Sequence, residues 1–287
     1  MRDRARRLIV HADDLGLSPG VTRGILEAHA AGVVTSASAV GNAPWLDDAA
    51  CAARVAPSLD VGVHLNLVQG RPLERVPTLV DRRTGAFLSL GALARRALAG
   101  RVDVGEVSAE CAAQIARVRG VGIEPSHLDG HRHAHVLPGI WPGVAEAARA
   151  ARIRVVRVPV ERSLGATWRP GAGVKRLALA AAWRVASRRA PAPDHADHFA
   201  GIALMGGRRT LPRLLRLLDA LPPGTTELMV HPGRADRALA AVDPYTWQRE
   251  RELEALLSAA LRARLARADI ELVTFRELGR ATRDDSQ

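Results

Sequence analysis

Four histidines and one aspartate occupy alternate positions between Ser126 and Pro138. They are His127, Asp129, His131, His133 and His135. An extended strand directs alternate side chains to one face, so this spacing predicts that all five groups point the same way. Buried imidazoles need hydrogen-bond partners, whereas a divalent ion with an activated water suits such a cluster. The stretch therefore indicates a hydrolytic metal site, with a solvated histidine-rich loop as the alternative.

Composition narrows the classes of protein that this chain can belong to. Its 287 residues are 47% hydrophobic and 3% aromatic, which is enough for an Ala-, Val-, Leu- and Ile-rich core. The net charge is +11, but Lys175 is the only lysine, and arginine richness of this kind indicates coding bias and not a nucleic-acid surface. Cys51 and Cys111 lack CxxC spacing, and no signal-peptide or membrane-spanning run is present, so we expect a cytoplasmic location.

Short β-rich runs alternate with helical patterns along the chain. The predicted strands are 7–12, 33–41, 60–67, 122–128, 153–158, 201–205, 227–231 and 270–274. The predicted helices are 19–31, 46–56, 90–98, 106–119, 139–151, 174–188, 210–220 and 245–268. This βα repetition predicts parallel strands with right-handed crossovers. We expect an α/β fold, a single-domain (β/α) barrel of seven or eight strands over 1–287, with a doubly wound open sheet as the alternative.

Polar side chains collect where the predicted strands end. In chain order they are His11, Asp13 and Asp14, then Asn42, then His64 and Asn66, then the histidine stretch, then Arg157, and then His231. The carboxyl ends of parallel strands open onto one rim, so these residues are expected to share one pocket.

The adjacent carboxylates Asp13 and Asp14 are suited to different roles, one on a metal and the other beside a water. A carboxylate with two imidazoles is a common open ligand set for a catalytic divalent ion, which favours hydrolysis. The alternative is that the pair caps the next helix. Ser18 followed by Pro19 already supplies that cap.

Four ordered motifs resemble the YdjC-like carbohydrate deacetylase family, which includes chitooligosaccharide deacetylases and hopanoid-biosynthesis-associated members. They are HADDLGLS at 11–18, GVHLNL at 62–67, HLDGHRHAH at 127–135 and ELMVHP at 227–232. Further family-like positions are 157–159 with Glu161, 199–202, and 243–245 with Arg249 and Glu252. The resemblance therefore spans nearly the whole chain.

The resemblance implies a metal-dependent carbohydrate N-deacetylase on an irregular, polysaccharide-deacetylase-like (β/α) barrel. By family position, Asp14, His64 and His131 match the ligands of one divalent ion, either Mg²⁺ or Zn²⁺. Asp13 matches the general base and His231 the candidate general acid. Groups expected to orient the ligands or contact the substrate are His127, Asp129, His133, His135, Arg157 and Asn66. For Arg157 we expect a bidentate pair with the Asp13 carboxylate.

The implied substrate is an N-acetylated amino sugar, either a chitooligosaccharide or a lipid-linked or hopanoid N-acetylglucosamine. One alternative is a metal-dependent phosphoesterase or amidohydrolase, which would need more ligands and often a bridging lysine. Lys175 is predicted to lie in a helix away from the rim, which counts against that alternative. The other alternative is a sugar-binding protein with a degraded site, but the five family residues are all present.

The segment 162–193 contains no acidic residue and is strongly basic. Its cationic residues are Arg162, Arg169, Lys175, Arg176, Arg184, Arg188 and Arg189. Its helical part is expected to pack on the barrel, because helical amphipathicity usually serves the core. The alternative is peripheral contact with an anionic membrane at its inner face. A homodimer is expected only from how common twofold dimers are.

Overall fold

The structure is a computed structural model, and it describes residues 5–162, 170–206, 209–267 and 269–284. Its strands are β1 (Arg6–Leu15), β2 (Ser36–Val40), β3 (Asp60–Leu65), β4 (His127–Gly130), β5 (Val155–Val156), β6 (His198–Ala200), β7 (Gly224–Val230) and β8 (Ile270–Leu272). Its helices are α1 (Pro19–Ala30), α2 (Leu46–Val55), α3 (Leu90–Leu98), α4 (Val104–Gly120), α5 (Trp141–Ala150), α6 (Pro170–Ala186), α7 (Thr210–Asp219), α8 (Arg237–Val242), α9 (Trp247–Leu256), α10 (Ala259–Leu265) and α11 (Phe275–Asp284). A 3₁₀ segment, His131–Val136, follows β4 directly.

The strand pairings confirm the predicted parallel α/β architecture. Neighbouring strands run in the order β5-β4-β3-β2-β1-β7-β6, β8 pairs with the start of β1, and every ladder between these strands is parallel. Isolated parallel bridges, Val155–Asp194 and Glu161–Phe199, connect the β5 and β6 edges. The curled sheet is therefore an irregular barrel whose last seam is held by bridges and not by a continuous ladder.

The sequence explains how β1 and α1 form. β1 begins with the buried apolar run Leu8, Ile9 and Val10, as expected for a parallel strand covered on both faces. α1 starts at Pro19, and the Ser18 hydroxyl accepts a hydrogen bond from the Val21 amide at 3.2 Å. The predicted cap is confirmed, and Asp13 and Asp14 remain available for another role.

Two predicted elements are wrong, and two helices were not predicted. The strand expected at 201–205 lies earlier, at β6, because the chain turns at Gly201. Gly201 has φ of +135°, and a Cβ there would lie 2.5 Å from the Met229 carbonyl oxygen. The helix expected over 245–268 is two helices, since Ser258 caps a new start at α10. α8 and α11 are short helices that the sequence patterns did not predict.

Along β1, alternate side chains face the surrounding helices and the interior of the barrel. Leu8, Val10 and Ala12 of β1 belong to the main hydrophobic cluster shared with the surrounding helices. Between them, His11 points to the other face, where its Nε2 lies 3.1 Å from Ser38 Oγ of β2. The barrel interior therefore combines a small apolar cluster of Ile9, Val155, Val273 and Phe275 with buried polar side chains such as His11 and Ser38.

α6 covers part of the predicted basic segment. Leu179 and Ala186 are buried against the barrel, whereas Val174 and Leu177 are 72% and 74% exposed. Arg169, which the prediction included, lies outside the described residues. Membrane contact through this segment stays a prediction. In the described ranges, no helix combines the length and the apolar character that crossing a bilayer requires.

Candidate active site

A bulge at the end of β1 brings two adjacent carboxylates to the same pocket. Ala12 pairs with Ala37 and Leu15 pairs with Ala39, so three steps along β1 match two steps along β2. Asp14, inside the bulge, has φ of +73°, the left-handed region that few non-glycine residues adopt. Regular alternation would separate Asp13 and Asp14, but the bulge lets both line the pocket.

Asp14, His64 and His131 come together although they derive from three strand ends. Asp14 Oδ1 lies 2.9 Å from His131 Nδ1 and 3.2 Å from His64 Nε2. All three residues are at least nine-tenths buried. One donor atom from each residue lies within 4.8 Å of the other two. These are the three residues that the family resemblance matched to a metal.

His64 is held from behind by Asp129. Its Nδ1 lies 2.9 Å from Asp129 Oδ1 and 3.1 Å from Ser38 Oγ. Burial alone would lower the pKa of His64, but the charges of Asp129 and Asp14 raise it well above its ordinary value. Asp129 therefore fixes the orientation of the ring and leaves Nε2 directed toward Asp14.

The other oxygen of Asp14 is held by a buried arginine. Arg249 Nη2 of α9 lies 2.6 Å from Asp14 Oδ2 and 2.6 Å from Asp243 Oδ2. Burial would raise the pKa of Asp14, but Arg249 and His131 together hold it well below its ordinary value. Asp14 is therefore an ionised carboxylate with a fixed orientation.

Asp13 is held in a bidentate pair with Arg157. Arg157 Nη1 donates to Asp13 Oδ2 at 2.8 Å, and Nη2 donates to Oδ1 at 2.7 Å. The same guanidinium contacts Asp129 at 3.0 Å and also bonds Glu227. Burial would raise the pKa of Asp13, but the Arg157 charge outweighs it and the pKa is lowered. Asp13 is therefore ionised at neutral pH.

His231 lies between Asp13 and Glu252. Its Nε2 is 3.8 Å from Asp13 Oδ2, and its Nδ1 is 3.9 Å from Glu252 Oε2. The backbone amide of His231 donates to Glu252 Oε2 at 2.6 Å, while Tyr245 donates its hydroxyl proton to Glu252 Oε1. Burial lowers the pKa of His231, although Glu252 and Asp13 oppose that shift. His231 is therefore a largely neutral imidazole at neutral pH.

The histidine stretch is not one extended segment, so that prediction is wrong. β4 ends at Gly130, and the 3₁₀ segment that follows contains Arg132 at φ +53° and His133 at φ +59°. His131 and His133 consequently reach the pocket. His135 instead bonds the Arg157 carbonyl oxygen through Nε2 at 3.0 Å, and burial lowers its pKa to about 4.

Two predicted residues lie below or beside the pocket. His127 is buried inside the barrel, where its ring stacks on Phe275 at a centroid distance of 4.0 Å. Burial lowers its pKa well below the ordinary value. Asn66 organises the loop after β3 by donating to Asn42 Oδ1 at 2.9 Å and to the Gln69 carbonyl oxygen at 3.0 Å.

Lys175 corrects another prediction, because it lies at the rim and not away from it. It enters the pocket from α6, and its Nζ contacts Met205 Sδ at 3.7 Å. Sequence periodicity predicted the helix but not which of its faces meets the rim. Arg249 and Tyr245 also line the pocket. The family-like positions around 243–252 were the only signal for them.

These residues line a pocket of about 460 Å³, whose walls include Asp13, Asp14, His64, His131 and His231. A larger groove of about 980 Å³ lies along α5 and contains none of these five residues. Size therefore does not identify the site. The convergence of carboxylates and imidazoles from several strand ends does.

The donor set fits a divalent metal ion at one of two buried clusters. The first cluster, Asp14, His64 and His131, combines one carboxylate and two imidazoles and opens onto the pocket. The second, His11, Asp13 and Asp129, lies below it. There the Arg157 guanidinium is already bound to both carboxylates. In the first cluster Arg249 holds only Oδ2 of Asp14, and His64 Nε2 and His131 Nε2 are buried without a hydrogen-bond partner in the described chain, so this cluster is the one that fits an added cation.

Comparisons with known proteins agree with this geometry. A family model described as YdjC-like protein matches residues 7–267. The carbohydrate deacetylase of Geobacillus stearothermophilus is 37% identical over 276 residues, which cover 95% of this chain and 98% of the relative. The chitooligosaccharide deacetylase of Klebsiella pneumoniae is 34% identical over 278 residues, which cover 95% of this chain and 99% of the relative.

One solved structure supports the fold across the full length. The crystal structure of an Enterococcus faecalis protein superposes with a TM-score of 0.78 at 28% identity. The superposition covers 96% of this chain and 99% of that one. The likeness in sequence and in structure therefore includes every strand end that forms the pocket.

Proposed function

This chain belongs to the YdjC-like protein family, and on that basis we propose that it is a metal-dependent carbohydrate deacetylase. Its reaction is hydrolysis of the acetamide of an N-acetylated amino sugar, which yields acetate and the free amine. The observation that carries the proposal is the convergence of Asp13, Asp14, His64, His131 and His231 in one pocket. The relatives named for carbohydrate and chitooligosaccharide deacetylation support the substrate class.

Asp14, His64 and His131 would hold the divalent ion, either Mg²⁺ or Zn²⁺. An ion bound there polarises the acetamide carbonyl and makes a neighbouring water more acidic. The supporting groups are in place, because Asp129 orients His64 and Arg249 orients Asp14. A ligand set with this support keeps its geometry when substrate arrives.

Asp13 acts as the general base. It accepts a proton from the attacking water while the water oxygen forms its bond to the acetamide carbon. The lowered pKa of Asp13 keeps the carboxylate ionised, and Arg157 prevents its rotation. The base is therefore in the correct ionisation state and orientation before substrate binds.

His231 acts as the general acid that protonates the departing amine. Burial keeps this imidazole largely neutral, so it must receive a proton during the reaction. Asp13 Oδ2 is 3.8 Å from His231 Nε2, which is longer than a hydrogen bond, so the proton taken from water passes through one bridging water or after the two side chains approach each other. Collapse of the tetrahedral species then breaks the C–N bond, and the amine leaves with the proton from His231. The water supplies one oxygen of the acetate and two protons: one reaches the amine through His231, and the other leaves the new carboxyl group as acetate forms and protonates the free amine to ammonium.

Acetate release tests this function. Chelator-treated protein is incubated with N-acetylglucosamine oligomers, before and after addition of magnesium, zinc, cobalt or manganese. We expect acetate only after one of these ions is restored. Absence of acetate with every ion, while calorimetry shows that an ion binds, would reject the amide of these sugars as the substrate.

A further inference from the structure

The outer face of α6 is apolar and exposed to solvent. Leu179 and Ala186 pack on the barrel, so the side chains on the opposite face of the helix point away from the protein. Five exposed side chains on that face are apolar: Val174, Leu177, Ala178, Ala181 and Val185. A helix on the surface of a globular protein usually presents polar side chains to water. An apolar outer face therefore indicates a partner that the described chain does not supply.

Contacts on the inner side hold α6 in this orientation. Trp183 of α6 packs edge-on against Trp141 of α5, with the ring centroids 5.1 Å apart. The guanidinium Nε of Arg176 donates to the Glu161 carbonyl oxygen at 3.1 Å. Rotating α6 to bury its outer face would break both contacts. The exposure of the apolar side chains is therefore a consequence of the packing of α6.

Positive charge surrounds the apolar side chains. Arg184 and Arg188 are exposed on the same side of the helix, and neither forms an ion pair with another described residue. The groove of about 980 Å³ that follows α6 adds four arginines and only two acidic residues, Glu146 and Asp194. The segment 162–193 has no acidic residue at all. The surface thus combines an apolar stripe with an excess of arginine.

This charge favours an anionic partner over a second copy of the chain. In a twofold dimer a surface patch faces itself, so Arg184 and Arg188 of the two copies would meet. The helix offers no acidic residue to pair with them, and like charges across an interface are unfavourable. An anionic bilayer suits both features, because its headgroups attract arginine and its acyl boundary accepts apolar side chains.

We propose that the outer face of α6, with the neighbouring arginines, docks on an anionic lipid bilayer. The helix lies in the plane of the interface and does not cross it, since no described helix is long and apolar enough to span a membrane. Val174 and Leu177 enter the boundary between headgroups and acyl chains, while Arg184 and Arg188 contact lipid phosphates. Lys175 lines the pocket from the edge of the same helix, so docking brings the mouth of the pocket close to the bilayer.

Cosedimentation of the full chain with lipid vesicles tests this surface. The vesicles contain phosphatidylcholine alone or phosphatidylcholine mixed with phosphatidylglycerol, at about 0.1 M and about 1 M salt. V174D and R184E alter the docking face. V55D and R54E are their matched controls, because Val55 is 74% exposed against 72% for Val174, and Arg54 is exposed beside it. Both control residues lie on α2, which follows β2 in the middle of the strand order, whereas α6 connects the two edge strands.

We expect wild type to bind the mixed vesicles at the lower salt and to bind phosphatidylcholine alone at least about tenfold more weakly. V174D should weaken binding to the mixed vesicles about tenfold, because an apolar contact is replaced by a negative charge. R184E should weaken it at least about fivefold, and V55D and R54E should leave it unchanged. Absence of binding by wild type, or an equal loss in V174D and V55D, would overturn the docking surface.

Light scattering without vesicles identifies the competing occupant. We expect the same molar mass for wild type, V174D and V55D. A dimer that V174D dissociates and V55D does not would overturn the bilayer and assign the face to a second copy. The proposed function is judged separately by acetate release from soluble N-acetylglucosamine oligomers. V174D should retain that activity, because Val174 does not line the pocket.

Discussion

Replacing Arg157 by methionine should destabilise the protein, because the buried carboxylates beneath the pocket lose their shared cation. Arg157 is 1% exposed and is the cation that Asp13, Asp129 and Glu227 share. Breaking a buried ion pair from one side costs about 3–5 kcal/mol, because the opposite charge is left unpaired. We expect R157M to lower the free energy of unfolding by that amount near neutral pH. Turnover should also fall, because Asp13 loses both hydrogen bonds that orient it.

The pH dependence of that loss identifies its cause. In wild type, the lowered pKa of Asp13 and of Asp129 gives stability that is present above their unfolded values and lost at lower pH. In R157M Asp13 loses the main charge that opposes its burial, so the pKa of Asp13 should rise above its unfolded value. Asp129 keeps His64 and His11 as partners, so its pKa should rise less. The resulting penalty is present at pH 7 and shrinks as the pH falls and the carboxylates protonate. The difference between R157M and wild type should therefore be larger at about pH 7 than at about pH 5.

Urea unfolding followed by circular dichroism at both pH values measures this difference. R157K keeps one charge and should lose less stability than R157M. R264M is the control, because Arg264 is also buried but its partners Asp219 and Asp269 are 63% and 43% exposed. We expect R264M to lower the free energy of unfolding by about 1 kcal/mol, because solvent screens the ion pairs of Arg264. A loss of stability in R157M equal to that in R264M, or one that did not change with pH, would show that the unpaired carboxylates are not its cause.

Three further predictions concern the imidazoles of the site and their supports. H64A and H131A each remove one ligand, so the Kd for the divalent ion should rise at least tenfold in calorimetry; an unchanged Kd would contradict the ligand assignment. E252Q removes the carboxylate charge beside His231, so kcat should fall about tenfold at constant KM in the acetate assay. A change in KM alone would contradict a role of Glu252 through His231. The pKa of His135 is about 4 in the folded chain and about 6.5 in the unfolded chain. Between these two pH values only the unfolded chain binds a proton at His135, so lowering the pH favours unfolding. The free energy of unfolding of wild type should fall by about 2 kcal/mol between pH 7 and pH 5 because of His135. If urea unfolding of H135Q showed the same change in stability over this pH range, His135 would not be its cause.

The position of the pocket was predictable from sequence, because the carboxyl ends of parallel strands lie at the same edge of the sheet. His64 ends β3, His131 follows β4 and His231 follows β7, so the order of elements alone places them on one rim. The same topology brings Arg157 to the rim beside Asp13, whereas the bidentate geometry of their pair was a separate expectation from the chemistry of the two side chains. No detailed geometry is required for these placements, because the carboxyl ends of all strands face the same way.

Backbone irregularities were not predictable from residue patterns. The bulge that turns both Asp13 and Asp14 into the pocket has no compositional signal, because neither residue is glycine. The alternating histidines favoured an extended segment, but the left-handed turn at Arg132 and His133 overrides that period. Local strain of this kind is stabilised by tertiary contacts that a periodicity pattern does not contain.

Sequence patterns also did not indicate which helix residues line the site. Arg249 is 235 positions from Asp14, and it lies on a helix whose pattern says nothing about strand ends. Lys175 lies on a helix that was predicted, but the rotation of α6 about its axis decides whether it faces the rim. That rotation is fixed by the packing of Leu179 and Ala186, and the sequence alone does not specify the surface they meet.

Asp13 and Asp14 are proposed to have different roles, and one paired measurement distinguishes base from metal ligand. Asp13→Asn and Asp14→Asn variants are loaded with the ion that restores activity, and bound metal and acetate release are measured on the same samples. We predict that the Asp13→Asn variant binds the ion normally and loses at least about a hundredfold in kcat, because the general base is gone. The Asp14→Asn variant should lose the ion itself. Near-wild-type turnover by metal-loaded Asp13→Asn would show that Asp13 is not the general base.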